Sequence, residues 1–585
     1  MRFLPDMSRI ALIVSLATLL AACDNGGGSS SGGASGGATP TAIASFELLD
    51  PTPGAGDEFG QLVVILSNGN IVVSDPNDSS IAANNGAVHL YNPVTQMLIA
   101  SIYGDDANDQ LGFGSITALA NNNFVIASPL DTVSGIAAAG SVRLINGANG
   151  AQVGATIAGD DAGDGLGLGG ITALANNNFV IASDLDDMGV VVDAGSVQLV
   201  NGATGAPIGV AITGDNPGDR IGINGAVALA NGNYVVGSPS DDAGVVDNGS
   251  VQLVNGATGA QIGATIAGDN PGDGFGFITA LANDNFVIAA PSDNAGATGS
   301  GSVRLVDGAT GVEIPGGLIV GDDVSDGLGF VTALANSNYA ISAYADDGSP
   351  GPEINVGTVR LADGTNGTQI GVAIEGDTTN DQLGLGDTIA LANNNFVFAS
   401  FIDDVGGVVK AGSVRLVDGT TGLEIGLTAG DDANDQLGFS ITGVTALANN
   451  NFVIAADLDD MGVVVDAGSV RLVDGVTGIP IVGGTITGST ANDQLGSGGV
   501  TALTNNDYVI VSPLDDEGGI DFGSVRLIDG VTGIQIGASI TGAVADDMNL
   551  ATVTGSPDGD YYILGLSLAD KNAMVDSGLV RLITL

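Results

Sequence analysis

The sequence predicts an all-β chain in which one four-stranded unit recurs ten times. Three observations carry that prediction. A Gly-Ser-Val-x-Leu stretch, with small variations, returns with its first glycine at 86, 140, 195, 249, 301, 357, 412, 468, 523 and 578, a step of about 55 residues that marks a repeat architecture. Between these marks, short runs of Val, Ile and Ala alternate with turns rich in Asn, Gly and Asp, the pattern of strands rather than helices. The composition agrees, with aromatic residues at 4%, no Trp, and 95 glycines in 585 residues. The core must therefore be thin sheets of Val, Ile, Leu and Ala.

The first element is a leader. Arg2 and Arg9 flank a basic start, and Ile10 to Leu20 is an apolar run too short to cross a bilayer as a helix. Asp6 is unusual in such a leader, and Met7 offers an alternative start. The run ends in Leu20-Ala21-Ala22-Cys23, which resembles the bacterial lipobox, and the chain's one cysteine falls on it. The resemblance implies cleavage before Cys23 and a lipid on Cys23 itself. Residues 1–22 are then a signal peptide, residues 23–41 the lipidated cysteine and a Gly/Ser-rich tether, and residues 42–585 the repeat domain. Random-coil scaling gives residues 24–41 a reach of about 23 Å. Asp24 resembles an inner-membrane retention signal, so two locations stay open: the outer membrane or cell surface, and the periplasmic face of the inner membrane.

One unit reads clearly from residues 115–159. The first strand is Ser-Ile-Thr-Ala-Leu-Ala, followed by a turn at Asn121-Asn122. Asn-Phe-Val-Ile-Ala-Ser is the second strand, Gly-Ser-Val-Arg-Leu-Ile the third, and Ala-Gln-Val-Gly-Ala-Thr-Ile-Ala-Gly the fourth. In other copies the first turn is Asn68-Gly69, Asn231-Gly232 or Asp558-Gly559, which predicts a two-residue type I′ hairpin. Each second strand opens with a ring: Phe124, Phe179, Tyr234, Phe286, Tyr339, Phe396, Phe452, Tyr508 and Tyr561, with Ile71 in the first copy. A ring at one fixed place per unit predicts packing between units.

Four antiparallel strands, repeated, predict a β-propeller of about ten blades. The last unit stops after its third strand, 578–585, while residues 41–60 carry a fourth-strand pattern at the front of the chain. Joining the two would close the ring and remove an open edge. The alternative is an open β-repeat array.

The units resemble FG-GAP repeats of the integrin α-chain propeller. The matching pieces are Phe59-Gly60 and Gly112-Phe113 before the first strand, Ser128-Pro129 and Ser238-Pro239 after the second, and the Gly-Ser-Val-Arg-Leu strand. The resemblance implies a propeller that binds partners. One departure matters. Family blades that bind calcium carry an Asp-rich loop between strands one and two, and here that loop is a bare Asn-Asn or Asn-Gly turn.

Acids outnumber bases 66 to 12, for a net charge of −54. That charge repels nucleic acid and anionic membrane surfaces. Alternating strands place loops 2–3 and 4–1 on one face, and most acids fall there. Loop 4–1 carries Asp105, Asp106 and Asp109; Asp160, Asp161 and Asp164; Asp322, Asp323 and Asp326; and Asp431, Asp432 and Asp435. Three readings of this face stand open: solvated loops, calcium sites built from oxygen ligands, or a carboxylate pair that hydrolyses glycans. Calcium is thus the candidate cofactor, and no motif fixes one. Tenfold repetition speaks against a catalytic pair, and a single Cys and a single His leave little other catalytic chemistry.

The variable position of Gly-Ser-Val-x-Leu is Arg143, Arg304, Arg360, Arg415, Arg471, Arg526 and Arg581, with Gln198, Gln252 and His89 in the other copies. An arginine between packed units requires a partner, so each is expected to meet an acid or a backbone carbonyl. The expectation for function is a lipid-anchored, non-enzymatic envelope protein. It would be tied to the membrane by its N-terminal lipid and would bind a protein or glycan in adhesion. A calcium-binding structural surface protein is the alternative, and a glycan hydrolase the second.

Overall fold

β-Branched residues at alternating positions pack well on pleated surfaces, and the computed structural model assembles these stretches into sheets. It describes residues 45–348, 354–439, 443–545, 547–570 and 574–585. The chain divides into Met1–Thr41 and Ala42–Leu585. The expected leader, Cys23 and the tether lie outside the described residues. No described helix is long and apolar enough to cross a membrane.

Ten four-stranded antiparallel sheets form the blades of a closed propeller. Blade 1 contains Val63–Ile65, Ile71–Asp75, Ala87–Asn92 and Met97–Tyr103, in that order. Blade 2 repeats the order with Ile116–Ala118, Asn123–Ser128, Ser141–Asn146 and Ile157–Ala158. Blades 3 to 9 follow in sequence. Blade 10 takes three strands from the C-terminus, Thr552–Gly555, Tyr561–Leu566 and Leu579–Thr584, and its fourth from the front of the chain, Ser45–Leu48. That strand pairs antiparallel with the last one, Leu48 opposite Val580 and Ser45 opposite Ile583.

First strands meet first strands around the ring. Threonine hydroxyls stitch them together: Thr172 Oγ1 donates to Ala226 O at 2.8 Å, and Thr554 Oγ1 donates to Val63 O at 2.9 Å, joining the last blade to the first. The open array is therefore replaced by a ring, and the strand edge at 579–584 is paired rather than exposed.

The core lies between blades. Phe124 of blade 2 is fully buried against Leu66, Val72, Val88 and Leu90 of blade 1. The fixed ring position thus packs neighbouring blades, with one correction to the residues expected. In blade 10 the residue that faces the third strand as Tyr508 does in blade 9 is Tyr562, opposite Ile583. Tyr562 is buried, whereas Tyr561 donates from its hydroxyl to Gly69 O at 3.1 Å.

A second correction concerns the hairpin turn. A type I′ turn needs two consecutive residues at positive φ, but only Asn122 (φ 68°) and, in other copies, Gly69, Gly232 or Gly559 are left-handed. Asn122 N–H donates to Leu119 O and Leu119 N–H donates to Asn123 O. That is a turn over Ala120-Asn121 followed by one left-handed bulge residue, the three-residue hairpin solution. It wins because the asparagines are needed elsewhere: Asn121 and Asn123 donate from Nδ2 to Gly202 O of blade 3, at 2.9 and 2.8 Å.

Candidate functional site

The acidic face is built by two loops from each blade junction. Each loop 4–1 folds around an aspartate at its end. Asp109, Asp164, Asp326 and Asp435 are buried. Asp109 accepts from the N–H groups of Asp105 (3.0 Å) and Asp106 (2.6 Å), an Asx-type turn. Its other oxygen accepts from Thr132 N–H of loop 2–3 at 3.1 Å. Asp164 repeats this with Asp160, Asp161 and Asp187, and Asp435 repeats it with Asp431, Asp432 and Asp460. Asp326 accepts from Asp323 N–H at 2.7 Å. Asp105, Asp106, Asp160, Asp322, Asp323, Asp431 and Asp432 are exposed, and Asp161 is half-buried.

A second aspartate sits in loop 2–3, seven residues after the ring position: Asp131, Asp241, Asp293, Asp346, Asp403, Asp459 and Asp515, all buried, half-buried Asp186, and buried Asp78 in blade 1. Most accept a hydrogen bond from the serine or threonine of the third strand, as in Ser413 Oγ to Asp403 (2.5 Å) and Thr358 Oγ1 to Asp346 (2.6 Å). Sequence reading placed many of these in an acidic loop but missed their role. The signal available was that fixed spacing, paired with the serine of Gly-Ser-Val.

The arginines meet this second aspartate. Arg471 and Arg526 approach Asp459 and Asp515 at 2.6 Å each. Arg360 and Arg415 approach Asp346 and Asp403 at 3.2 Å, and Arg143 approaches Asp131 at 3.4 Å. Arg304 is looser, at 3.9 Å from Asp293, and lies 4.7 Å over the Phe275 ring. Several also reach an exposed acid of the preceding loop: Arg143 to Asp105, Arg360 to Asp322 and Arg471 to Asp431. Arg143 Nη1 further donates to Tyr103 O of blade 1. The expected acidic partner is thus present in six copies, within the arginine's own blade, and in four of them the arginine also reaches an acid of the loop that arrives from the preceding blade. Arg581 lacks the same contact, because blade 10 has Ala569 at the aspartate position and Leu579 at the serine position; it lies opposite Glu47.

Together the loops form three-carboxylate clusters. In Asp105/Asp109/Asp131, Asp160/Asp164/Asp186 and Asp215/Asp219/Asp241, one oxygen from each residue lies within 4.8 Å of the others. Arg143 enters the first cluster. The next two belong to the blades with Gln198 and Gln252, and among the described residues no Lys or Arg pairs with them. Gln198 Nε2 instead donates to Leu199 O and Ile208 O. Burial raises the pKa of Asp164, Asp186 and Asp241 above the ordinary carboxylate value, and neighbouring acids add to it.

Beside these loops, at the start of the first strands, lies an apolar groove. It is lined by Phe277, Ile278, Phe330 and Val331 of blades 5 and 6, with Val227 of blade 4. Phe277 is 48% exposed and Phe330 52%; Phe113 and Phe439, also exposed, have the same spacing from the loop 4–1 aspartate but lie before the first strands of blades 2 and 8.

Six segments match the family model described as a repeat of unknown function (DUF5650): 118–158, 173–217, 228–269, 280–314, 390–432 and 446–497. Each spans the second to fourth strands of one blade, so the chain is a repeat protein that carries these repeats and closes them into ten blades. No curated protein matches it. Among solved structures, the chain is similar to the crystal structure of the computationally designed Ika8 protein. The identity is 18% over 69% of this chain and 94% of that one, with a TM-score of 0.33.

Proposed function

We propose that this protein is a lipid-anchored, non-enzymatic binding scaffold of the bacterial cell envelope, with blades of the FG-GAP type, that captures a protein partner on its acidic face. The observation that carries the reading is the groove at Phe277 and Phe330. Half-exposed phenyl rings, each four residues past the loop 4–1 aspartate Asp273 or Asp326, give a partner apolar area beside acidic loops, the usual anatomy of an interaction site. A partner segment with apolar and basic side chains fits that chemistry. The lipobox-like Leu20-Ala21-Ala22-Cys23 supports the anchor, and replacing Cys23 with Ala should move the protein from the membrane fraction to the soluble one.

The test is a cross-linked pull-down from envelope extracts with the full chain. Phe277→Ser/Phe330→Ser should lose a specific partner that the wild type and Val312→Ser retain, since Val312 follows a turn on the opposite face. Retention by the double variant would overturn the reading.

Calcium binding is a second reading, favoured by the two clusters that lack an arginine. Three carboxylates without an internal cation repel one another, and oxygen ligands suit Ca2+. Calorimetric titration with millimolar Ca2+ should then show binding that Asp186→Ser and Asp241→Ser weaken. A flat titration of the wild type would remove this reading.

A further inference from the structure

Blade 1 breaks the repeat at two facing positions. The slot that holds Arg or Gln in every other blade holds His89, and the position at the end of the second strand that holds Ser128, Ser183 or Ala290 elsewhere holds Asp75. His89 lies opposite Val73, and Asp75 follows two residues later on the same face. Both side chains have 0% exposure, and Asp75 Oδ2 stands 3.6 Å from His89 Nε2. Among the described residues, no protein donor reaches either oxygen of Asp75 or the Nε2 of His89. A buried carboxylate left this way is costly. Asp50, half-buried and two residues past the closing strand Ser45–Leu48, completes the group. One donor atom from each of Asp50, Asp75 and His89 lies within 4.8 Å of the other two.

We propose that Asp50, Asp75 and His89 form a divalent transition-metal site, with Zn2+ as its first occupant, that ties the N-terminal closing strand to blade 1. One imidazole nitrogen and two carboxylates are a zinc donor set, whereas calcium takes oxygen alone. Tetrahedral ligands at zinc bond lengths lie about 3.3 Å apart, close to the Asp75–His89 separation. The other ring nitrogen, His89 Nδ1, is 2.9 Å from Ser101 Oγ, the kind of contact that fixes the tautomer of a metal-bound histidine. Phe59, Tyr91 and Tyr103 surround the imidazole, with ring centroids 5.9–6.4 Å away. Three protein ligands leave the fourth position of a tetrahedral zinc to a water. The site would do at the seam what Arg143 does between blades 1 and 2. Arg143 ties blade 2 to the outer strand of blade 1, and the ion would tie blade 1 to the outer strand of blade 10.

The full-length protein, stripped with chelator, is titrated with Zn2+ and separately with Ca2+, and bound metal and thermal midpoint are measured. The wild type should bind about one Zn2+ per chain tightly and gain thermal stability from it, with Ca2+ unable to displace the ion. Asp75→Ser, the residue of other blades, and His89→Gln should each weaken Zn2+ binding at least about tenfold while circular dichroism shows an intact fold; Asp75→Asn is the volume-matched alternative. Absence of Zn2+ binding by the wild type overturns the proposal. So does binding unchanged in the folded variants, which would assign the ion to the acidic loops, and so does displacement by Ca2+.

Discussion

In the six blades with a paired arginine, the buried aspartate of loop 2–3 organises the packing at the level of single residues. It takes a hydroxyl from the third strand and a guanidinium from the same strand, so two buried or half-buried donors depend on one carboxylate. Removing Asp459 leaves the Ser469 hydroxyl without its acceptor and Arg471 with only the exposed Asp431 as an acidic partner. Asp459→Ala is therefore expected to cost about 3 kcal/mol, read from denaturant unfolding. Blade 10 shows the compensated form, with Ala569 and Leu579 in place of aspartate and serine. Asp459→Ala/Ser469→Leu should then cost clearly less than the two single changes summed, a coupling that a double-mutant cycle measures. The sequence displayed the arginine slot and the need for an acid. It did not display which acid, because the choice between loop 4–1 and loop 2–3 depends on how deep each carboxylate sits. Arg471 and Arg526 lie clearly closer to the buried aspartate, whereas Arg143 and Arg360 share themselves between the buried and the exposed acid.

For the individual element, the hairpin turn does more than reverse the chain. Asn121 and Asn123 reach across to Gly202 O, and the same contact recurs from Asn176 and Asn178 to Gly256 O, and from Asn449 and Asn451 to Gly530 O. Asparagine at these positions is a clamp between blades, while the residue between them, such as Asn122, only needs to accept positive φ. The two roles predict opposite signs. Asn123→Ala should lose about 1 kcal/mol, because a buried hydrogen bond to the next blade goes. Asn122→Gly should gain about 0.5 kcal/mol, because glycine adopts φ near +68° freely. Thermal midpoints of the two variants, measured side by side, check both. An Asn-Asn pair looks the same in sequence whether it turns the chain or bonds a neighbour, which is why the type I′ expectation failed.

For the whole molecule, the acidic face sets the response to pH. Burial raises Asp57, Asp326 and Asp457 from 3.8 to about 6, and neighbouring acids add to this in all three. Burial likewise raises Asp186, Asp403 and Asp435. A carboxylate raised on folding binds its proton more tightly in the folded chain. Its contribution is thus present below the unfolded value near 3.8 and is lost as pH rises through about 6. The exposed turn residues Asp307 and Asp363 run the other way, since threonine hydroxyls donate to them and hold them low. Their contribution is lost only on further acidification. The thermal midpoint should accordingly be higher near pH 5 than at pH 8, the reverse of a protein whose buried acids are mostly ion-paired. A midpoint that rises steadily from pH 5 to pH 8 would show that the raised aspartates do not dominate. The net charge of −54 acts in the same direction, because protonation relieves self-repulsion.

The sequence by itself determined the unit, its ten copies, the ring position in the core, the acidic face and the closing of the last blade by the front of the chain. These follow from period and pattern, which are properties of neighbours along the chain. The tertiary structure alone decided that Tyr562 rather than Tyr561 fills the core in blade 10, that the asparagines bridge blades, and that the buried aspartate of loop 2–3 takes the arginine. It alone brought Asp50 and Asp75 to His89, a residue that in sequence is only one more variant of the arginine slot. The physical reason is the same in each case. Burial and cross-blade distance set what a polar group must pair with, and neither is fixed until the ring closes.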